Sequence, residues 1–235
     1  MTFPFSCVSP GEKLWPDDYG VGPDHCRAVL EGEYDVPVEF AEPPVVLDIG
    51  ANVGAFARWA LWRWPGCSIH CYEPHTGNYE LLKRTLKTYR GNGTVCLLYP
   101  HPQAVLDVSM KMPLNEGAFN CGEWSLFDTK AGKGSVLVDV ISADLLPKAD
   151  VLKIDAEGAE PAILGKLYEA GRIQEFAAIM VEYHADVRGR EMRDALVRQG
   201  FELVGEKEYG RHRGVLRFVR VDGAENKDER RGDLP

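Results

Sequence analysis

Residues Val45 to Gly54 (VVLDIGANVG) constrain this chain more than any other stretch. Val45, Val46, Leu47 and Ile49 around Asp48 form an apolar run with no polar face, the habit of a strand covered on both sides in a parallel sheet. Gly50 and Gly54 then permit a tight turn and a close helix start. Phe56, Ala57, Ala60, Leu61 and Trp64 recur at helical spacing until Pro65 and Gly66 stop the helix. A strand, a glycine turn and a helix in that order place a nucleotide-like ligand where strand meets helix.

The turn is not a dinucleotide fingerprint. G-x-G-x-x-G leaves its second glycine bare so that a pyrophosphate can approach. Counted from Gly50, the second place is Asn52 and the third Ala55. An asparagine side chain crowds a pyrophosphate but suits a cofactor whose carboxylate and ammonium want partners of both kinds. S-adenosylmethionine has that amino-acid end and no phosphate. The next apolar run, Ile69 to Glu73 (IHCYE), ends in a carboxylate about 20 residues beyond the turn, where an acid binds ribose hydroxyls in this fold. Glycines alone could serve only to pack strand against helix; Asp48 and Glu73 together carry the cofactor expectation.

Composition narrows the class. At 235 residues and 45% hydrophobic content, one domain with modest additions is expected. No apolar run approaches the roughly 20 residues that cross a bilayer. The start MTFPFSCVSPGEK lacks the features of a signal peptide, so a cytoplasmic protein is expected. The net charge of −9 opposes a nucleic-acid partner, whose phosphates are met by basic patches. The six cysteines are scattered without a C-x-x-C and are expected to be reduced thiols rather than zinc ligands.

Residues 1–44 are irregular and rich in Pro, Gly and acid, with one short helix near Asp24 to Leu30; they are expected to form an N-terminal cap. Strands are expected near 45–49, 69–73, 95–99, 103–108, 136–141, 151–155, 177–183, 201–206 and 214–221. Helices should follow Gly54, carry Tyr79, Leu82, Leu86 and Tyr89, and cover 161–171 and 188–199. Only EYGRHR separates the last two strands, so they should pair antiparallel. The expected class is α/β, a doubly wound, mostly parallel sheet over residues 45–221 with a C-terminal antiparallel hairpin. Residues 222–235 (DGAENKDERRGDLP) have charge without apolar periodicity and are expected to be a frayed tail. The glycine-rich stretch from about Met112 to Ser135 is long for a connection; Phe119 and Trp124 within it would wall an acceptor pocket or anchor a loop to the core.

Two further clusters carry chemistry. In VLKIDAEGAEPAIL (151–164) a strand ends at Asp155, and Glu157, Gly158 and Glu160 precede Pro161 at a helix start. Glu160 is expected to complement the helix dipole. Lys153 shares a strand face with Asp155, and a lysine inside a buried strand needs a carboxylate nearby. In IMVEYH (179–184), Glu182 and His184 alternate onto one face at another strand end, where a carboxylate could orient a general-base imidazole.

VLDIGANVGAFARW, YEPHTGNYELLKRTL, VLKIDAEGAEPAILGKL and IMVEYH resemble the FkbM-type methyltransferases, and GEYDVP at 32–37 resembles the run before their first motif. The likeness spans roughly residues 30–205, and K-I-D-x-E-G-x-E is its most specific part. It implies a Rossmann-like class I methyltransferase fold, S-adenosylmethionine as cofactor, and O-methylation of a sugar, polyketide, peptide or related small molecule bearing a hydroxyl. It implies cofactor contacts at Asp48, Gly50, Asn52, Gly54, Glu73 and Asn78, a place near adenine for Gln103 and Ala104, and an active-site role for Asp155 and Glu157. His75-Thr76-Gly77 departs from the more proline-rich turn common there, and segments 1–30 and 112–135 match nothing in the family, which leaves the acceptor open.

Methyl transfer is an in-line displacement, so the protein must align acceptor oxygen, methyl carbon and sulfur and exclude water. A neutral hydroxyl needs a base as the bond forms. His184 or Asp155 is expected to be that base, the other orienting the acceptor, with Glu182 supporting the histidine. No divalent cation is expected to be required, although Asp155, Glu157, Glu182 and His184 could form an oxygen-rich site. N-methylation or nucleic-acid methylation on the same fold remains the alternative. A nicotinamide oxidoreductase is opposed by Asn52 and the final hairpin, and a non-catalytic cofactor-binding protein would lack an acceptor pocket.

Overall fold

A computed structural model of the protein describes residues 23–88, 96–115, 125–127, 134–184, 186–209 and 212–221. The VVLDI run forms β1 (Val45–Ile49), buried on both faces beyond its first residue. After it come α2 (Ala55–Arg63), β2 (Ser68–Tyr72), α3 (Thr76–Thr88) and β3 (Leu97–His101); a short α1 (Pro23–Leu30) precedes it. Then follow β4 (Gln103–Leu106), β5 (Met110–Asn115), β6 (Ser135–Ser142), β7 (Val151–Ile154), α4 (Glu160–Glu169), β8 (Ala178–Tyr183), α5 (Asp186–Arg198), β9 (Phe201–Tyr209) and β10 (Arg213–Arg220).

Seven strands make one sheet in the order β3-β2-β1-β7-β8-β10-β9. The first five are parallel, and β10 runs antiparallel to both β8 and β9, which is the expected hairpin. Chain order reverses between β1 and β7, with β2 and β3 to one side and β7 and β8 to the other. Ligands bind outside the carboxyl ends of strands at such a switch point. The register pairs Ile49 with Ile154 and Ile154 with Val181, so the loops after β1 and β7 and the last residues of β8 emerge along one rim.

Each face of the sheet has its own core. Leu47, Leu152, Ile179 and Phe218 pack with α4 and α5 residues such as Ile163, Leu167 and Leu196. Val46, Ile69, Val151 and Met180 pack with Phe56, Trp59 and Ala60 of α2 and with Val29 and Leu30 of α1. Fully burying one such side chain contributes about 1.5–3 kcal/mol, so the two layers hold the rim rigidly. The strap that leads from α1 to β1 is tied down by three cations. Arg63 donates to the Asp35 carboxylate (3.1 Å), the Val38 carbonyl (3.1 Å) and Glu39 (2.8 Å); Lys207 reaches Glu33 (3.1 Å); Arg217 donates to the Asp35 carbonyl (3.1 Å).

Two expectations are corrected. The strand near 103–108 does not join the main sheet: β4 pairs with β6, and β6 with β5, in a separate three-stranded sheet. The stretch from Met112 does not begin as a loop, because Met110–Asn115 is an edge strand that tolerates Pro113 there. Phe119, Trp124 and the tail 222–235 lie outside the described residues. Among the described cysteines, Cys26, Cys67, Cys71 and Cys96 are free thiols, and burial pushes Cys26 and Cys67 up to about 12. No helix among the described residues is long and apolar enough to cross a membrane.

Candidate active site

The loop after β1 packs directly on the chain leaving β7. A Cβ built on Gly50 (φ 74) would stand 1.7 Å from the Asp155 carbonyl oxygen, and one on Gly54 (φ 90) would press on Leu82 of α3 at 2.9 Å. Only glycine fits either place, and the contact at Gly50 brings Asp155 to the cofactor loop. Between these glycines Asn52 adopts φ 49, a left-handed conformation that asparagine tolerates better than most residues. Its backbone N–H donates to Glu73 Oε2 (2.9 Å), and the His75 N–H donates to Glu73 Oε1 (2.8 Å). Burial pushes the Glu73 carboxyl up to about 7 against the pull of these two donors.

The residues fit the amino-acid end and ribose of the expected cofactor. Asn52 Oδ1 is buried and meets no hydrogen-bond donor among the described residues, an acceptor matched to an ammonium group. Glu73, clamped by two backbone amides at the end of β2, keeps further acceptor capacity for a diol. Asn78 is buried in the first turn of α3, its N–H 3.4 Å from His75 Nδ1. Ala104 is buried in the core beside Tyr72 and Leu106, while Gln103 stays partly exposed at the start of β4.

Behind the loop lies a buried ion cluster. Lys153 Nζ sits 3.2 Å from Asp48, which is 0% exposed, and 3.7 Å from Asp155. It also donates to the Gly50 carbonyl at 2.8 Å. Burial alone would discharge Lys153, but Asp48 and Asp155 hold it charged, and burial raises Asp48. The lysine therefore serves Asp48 at least as closely as the Asp155 that its strand face suggests.

The acidic rim is assembled from β7, β8 and β10. Glu157 holds φ 47, strain typical of functional loops, and its carbonyl accepts from Ser125 Oγ (2.8 Å). Glu160, 1% exposed, accepts from the Ala156 N–H (2.9 Å) and the Gly158 N–H (3.0 Å), so it closes the loop as well as facing the helix start. His184 lies between them, Nε2 3.2 Å from Glu157 and Nδ1 3.2 Å from Glu160. Arg213 reaches in from β10, with Nη2 3.2 Å from Glu157 and 3.1 Å from His184 Nε2. Burial raises the Glu182 carboxyl, and Asp155 beside it raises it further through charge and a shared hydrogen bond.

The surroundings of His184 and Asp155 differ. Burial pulls the His184 imidazole down, but the hydrogen-bonding carboxylates of Glu157 and Glu160 outweigh it and lift it to about 11. Each ring nitrogen lies 3.2 Å from a carboxylate oxygen, an environment that favours the protonated ring. Asp155 is the carboxylate that lines the crevice with Asn52 and Phe56. Asp155, Glu157 and His184 also offer ligand atoms within 4.8 Å of one another. A divalent ion there would have to displace both the Arg213 guanidinium and the imidazolium proton. One residue at this site is not marked by any local sequence pattern, Arg213, which the fold brings in from β10.

A sheet of this order, with its crevice at the switch point and carboxylates on the adjoining strand ends, is that of a class I methyltransferase. The FkbM methyltransferase domain matches residues 48–203, and the chain belongs to that family. It is 29% identical over 174 residues to the hexuronic acid methyltransferase AglP of Haloferax volcanii, covering 69% of this chain and 67% of that protein. It is 27% identical over 205 residues to the 31-O-demethyl-FK506 methyltransferase FkbM of Streptomyces tacrolimicus, covering 73% and 77%. The crystal structure of methyltransferase FkbM from Methylobacillus flagellatus KT shares the fold with a TM-score of 0.56 at 17% identity; the match covers 78% of this chain and 45% of that one.

Proposed function

We propose that this enzyme transfers the methyl group of S-adenosylmethionine to a hydroxyl oxygen of a small molecule. The observation that carries the cofactor is Glu73, fixed by the Asn52 and His75 amides next to the orphaned Asn52 Oδ1. Glu73 would accept from the ribose diol and Asn52 Oδ1 from the amino group. The cofactor, when bound, supplies an electrophilic methyl carbon on a sulfonium. The relatives named for hexuronic acid and for 31-O-demethyl-FK506 support a small-molecule acceptor, and the second name an oxygen nucleophile. The free thiols among the described residues and the net charge of −9 are in keeping with a cytoplasmic enzyme that does not act on nucleic acid.

Asp155 takes the acceptor proton. Glu182, kept protonated by burial, donates to Asp155 and fixes its orientation. Glu157, pinned by His184 and Arg213, positions the loop beside Asp155. Transfer of labelled methyl to a panel of uronic acids and hydroxylated macrolides tests the reading. Asp155→Asn should lower turnover about 10²- to 10⁴-fold, the range of general-base catalysis, with affinity for S-adenosylhomocysteine within a few-fold of wild type. Wild-type turnover in Asp155→Asn would remove the base assignment, and label appearing only on amines would replace O- by N-methylation.

A further inference from the structure

Tyr34 has no part in the chemistry above, yet it lines the same crevice as Asn52, Phe56, Lys153 and Asp155. It is 1% exposed and sits in the strap that Arg63, Lys207 and Arg217 fasten to α2, β9 and β10. Its ring meets Phe56 edge to face at 5.5 Å. Lys153 Nζ lies 5.7 Å from the centroid of the Tyr34 ring and 5.9 Å from that of Phe56, so both rings already face a cation. Burial and the neighbouring Asp155 and Glu182 drive the phenol well above its ordinary value, so Tyr34 stays neutral and acts as neither base nor anion.

Resting on the S-adenosylmethionine reading, we infer that Tyr34, backed by Phe56, is a recognition residue for the sulfonium charge, and lets the enzyme distinguish the charged donor from its neutral thioether product. The faces of aromatic rings attract cations, and both rings line the crevice beside the ammonium that already lies over them. The fixed charges agree in sign. Asp48 and Asp155 stand against the single ammonium of Lys153, leaving a carboxylate in excess where a cationic ligand end would enter. Transfer of the methyl group removes the sulfonium charge and leaves the amino-acid end unchanged, so this one attraction is lost with the reaction and the product is held less tightly. Because the contact is strongest before transfer, it contributes to donor binding and not to lowering the barrier. The strap explains why the tyrosine can do this. Three cation anchors from separate elements fix residues 33–39, so the ring is held in place before any ligand arrives.

The test is calorimetric titration of the full-length protein with S-adenosylmethionine and with S-adenosylhomocysteine. Tyr34→Leu should weaken the donor about tenfold, a loss within the range of desolvated cation–π contacts, and leave the product within twofold. Tyr34→Phe should preserve the ratio of the two affinities. Should Tyr34→Leu fail to fold, phenylalanine analogues of rising fluorine content placed at position 34 by nonsense suppression keep the shape and drain the quadrupole. Donor affinity should then fall stepwise with fluorination while product affinity stays flat. Equal weakening of both ligands, or no change in either, overturns the role of Tyr34. Failure of folded wild-type protein to bind either ligand is a different result and removes the cofactor reading itself.

Discussion

Replacing Lys153 by methionine leaves Asp48, 0% exposed, without the ammonium 3.2 Å away. Breaking a buried pair from one side costs about 3–5 kcal/mol, because the remaining charge is uncompensated. The carboxylate can escape that cost only by taking a proton. At pH 7 protonating a carboxyl with an ordinary value near 3.9 costs about 4 kcal/mol, and at pH 5 about 1.5 kcal/mol. The Gly50 carbonyl also loses a donor at 2.8 Å, worth about 1 kcal/mol. Lys153→Met should therefore destabilise the fold by about 4–5 kcal/mol at pH 7 and only about 2–3 kcal/mol at pH 5. The sign follows from linkage. In the variant Asp48 has a folded-state value raised above its unfolded one, so the penalty grows as pH rises from the unfolded value toward the folded one. Urea denaturation at the two pH values, each against wild type, measures this. Adding Asp48→Asn to Lys153→Met should recover most of the loss at pH 7 and little at pH 5. A penalty below about 1 kcal/mol at pH 7, or one that does not change with pH, would refute the argument.

The carboxyl of Glu73, raised to about 7 by burial, accepts from a diol more strongly when ionised, so affinity for S-adenosylhomocysteine should tighten as pH rises through 7. Glu73→Gln should bind more weakly and without that dependence; calorimetry across pH 6–8 decides. His184, lifted to about 11 by Glu157 and Glu160, should show ring resonances by NMR that do not move between pH 6 and 9. A titration midpoint near 6.5 would return it to the role of base. Its folded value lies above the unfolded one, so its stabilising contribution is complete below pH 6.5 and is lost as pH rises toward 11. Methyl transfer should survive EDTA, since the Arg213 guanidinium and His184 already engage the Glu157 carboxylate that a cation would need. Loss of activity restored by magnesium would contradict that.

What the sequence disclosed was local. The apolar run around Asp48, the glycines that follow it and the carboxylates at strand ends are short-range patterns, and the structure has each of them where strand meets loop. The final hairpin was visible because only a short turn separates its strands. The features that escaped are set by distant parts of the chain. Arg213 joins Glu157 and His184 only because β10 inserts beside β8, a pairing that no local pattern announces. Lys153 was matched to Asp155 by strand spacing, yet the neighbouring strand presents Asp48 closer. The protonation of His184 depends on two carboxylates converging through the left-handed backbone at Glu157. The strand Met110–Asn115 was hidden by its proline and lysine, which an edge position accepts.

A crystal structure with S-adenosylhomocysteine bears most directly on the account. The ribose hydroxyls should lie on Glu73, the amino group against Asn52, and the sulfur should face Asp155 across a water-poor gap. Ligand bound elsewhere, or a sulfur turned away from Asp155, would contradict it.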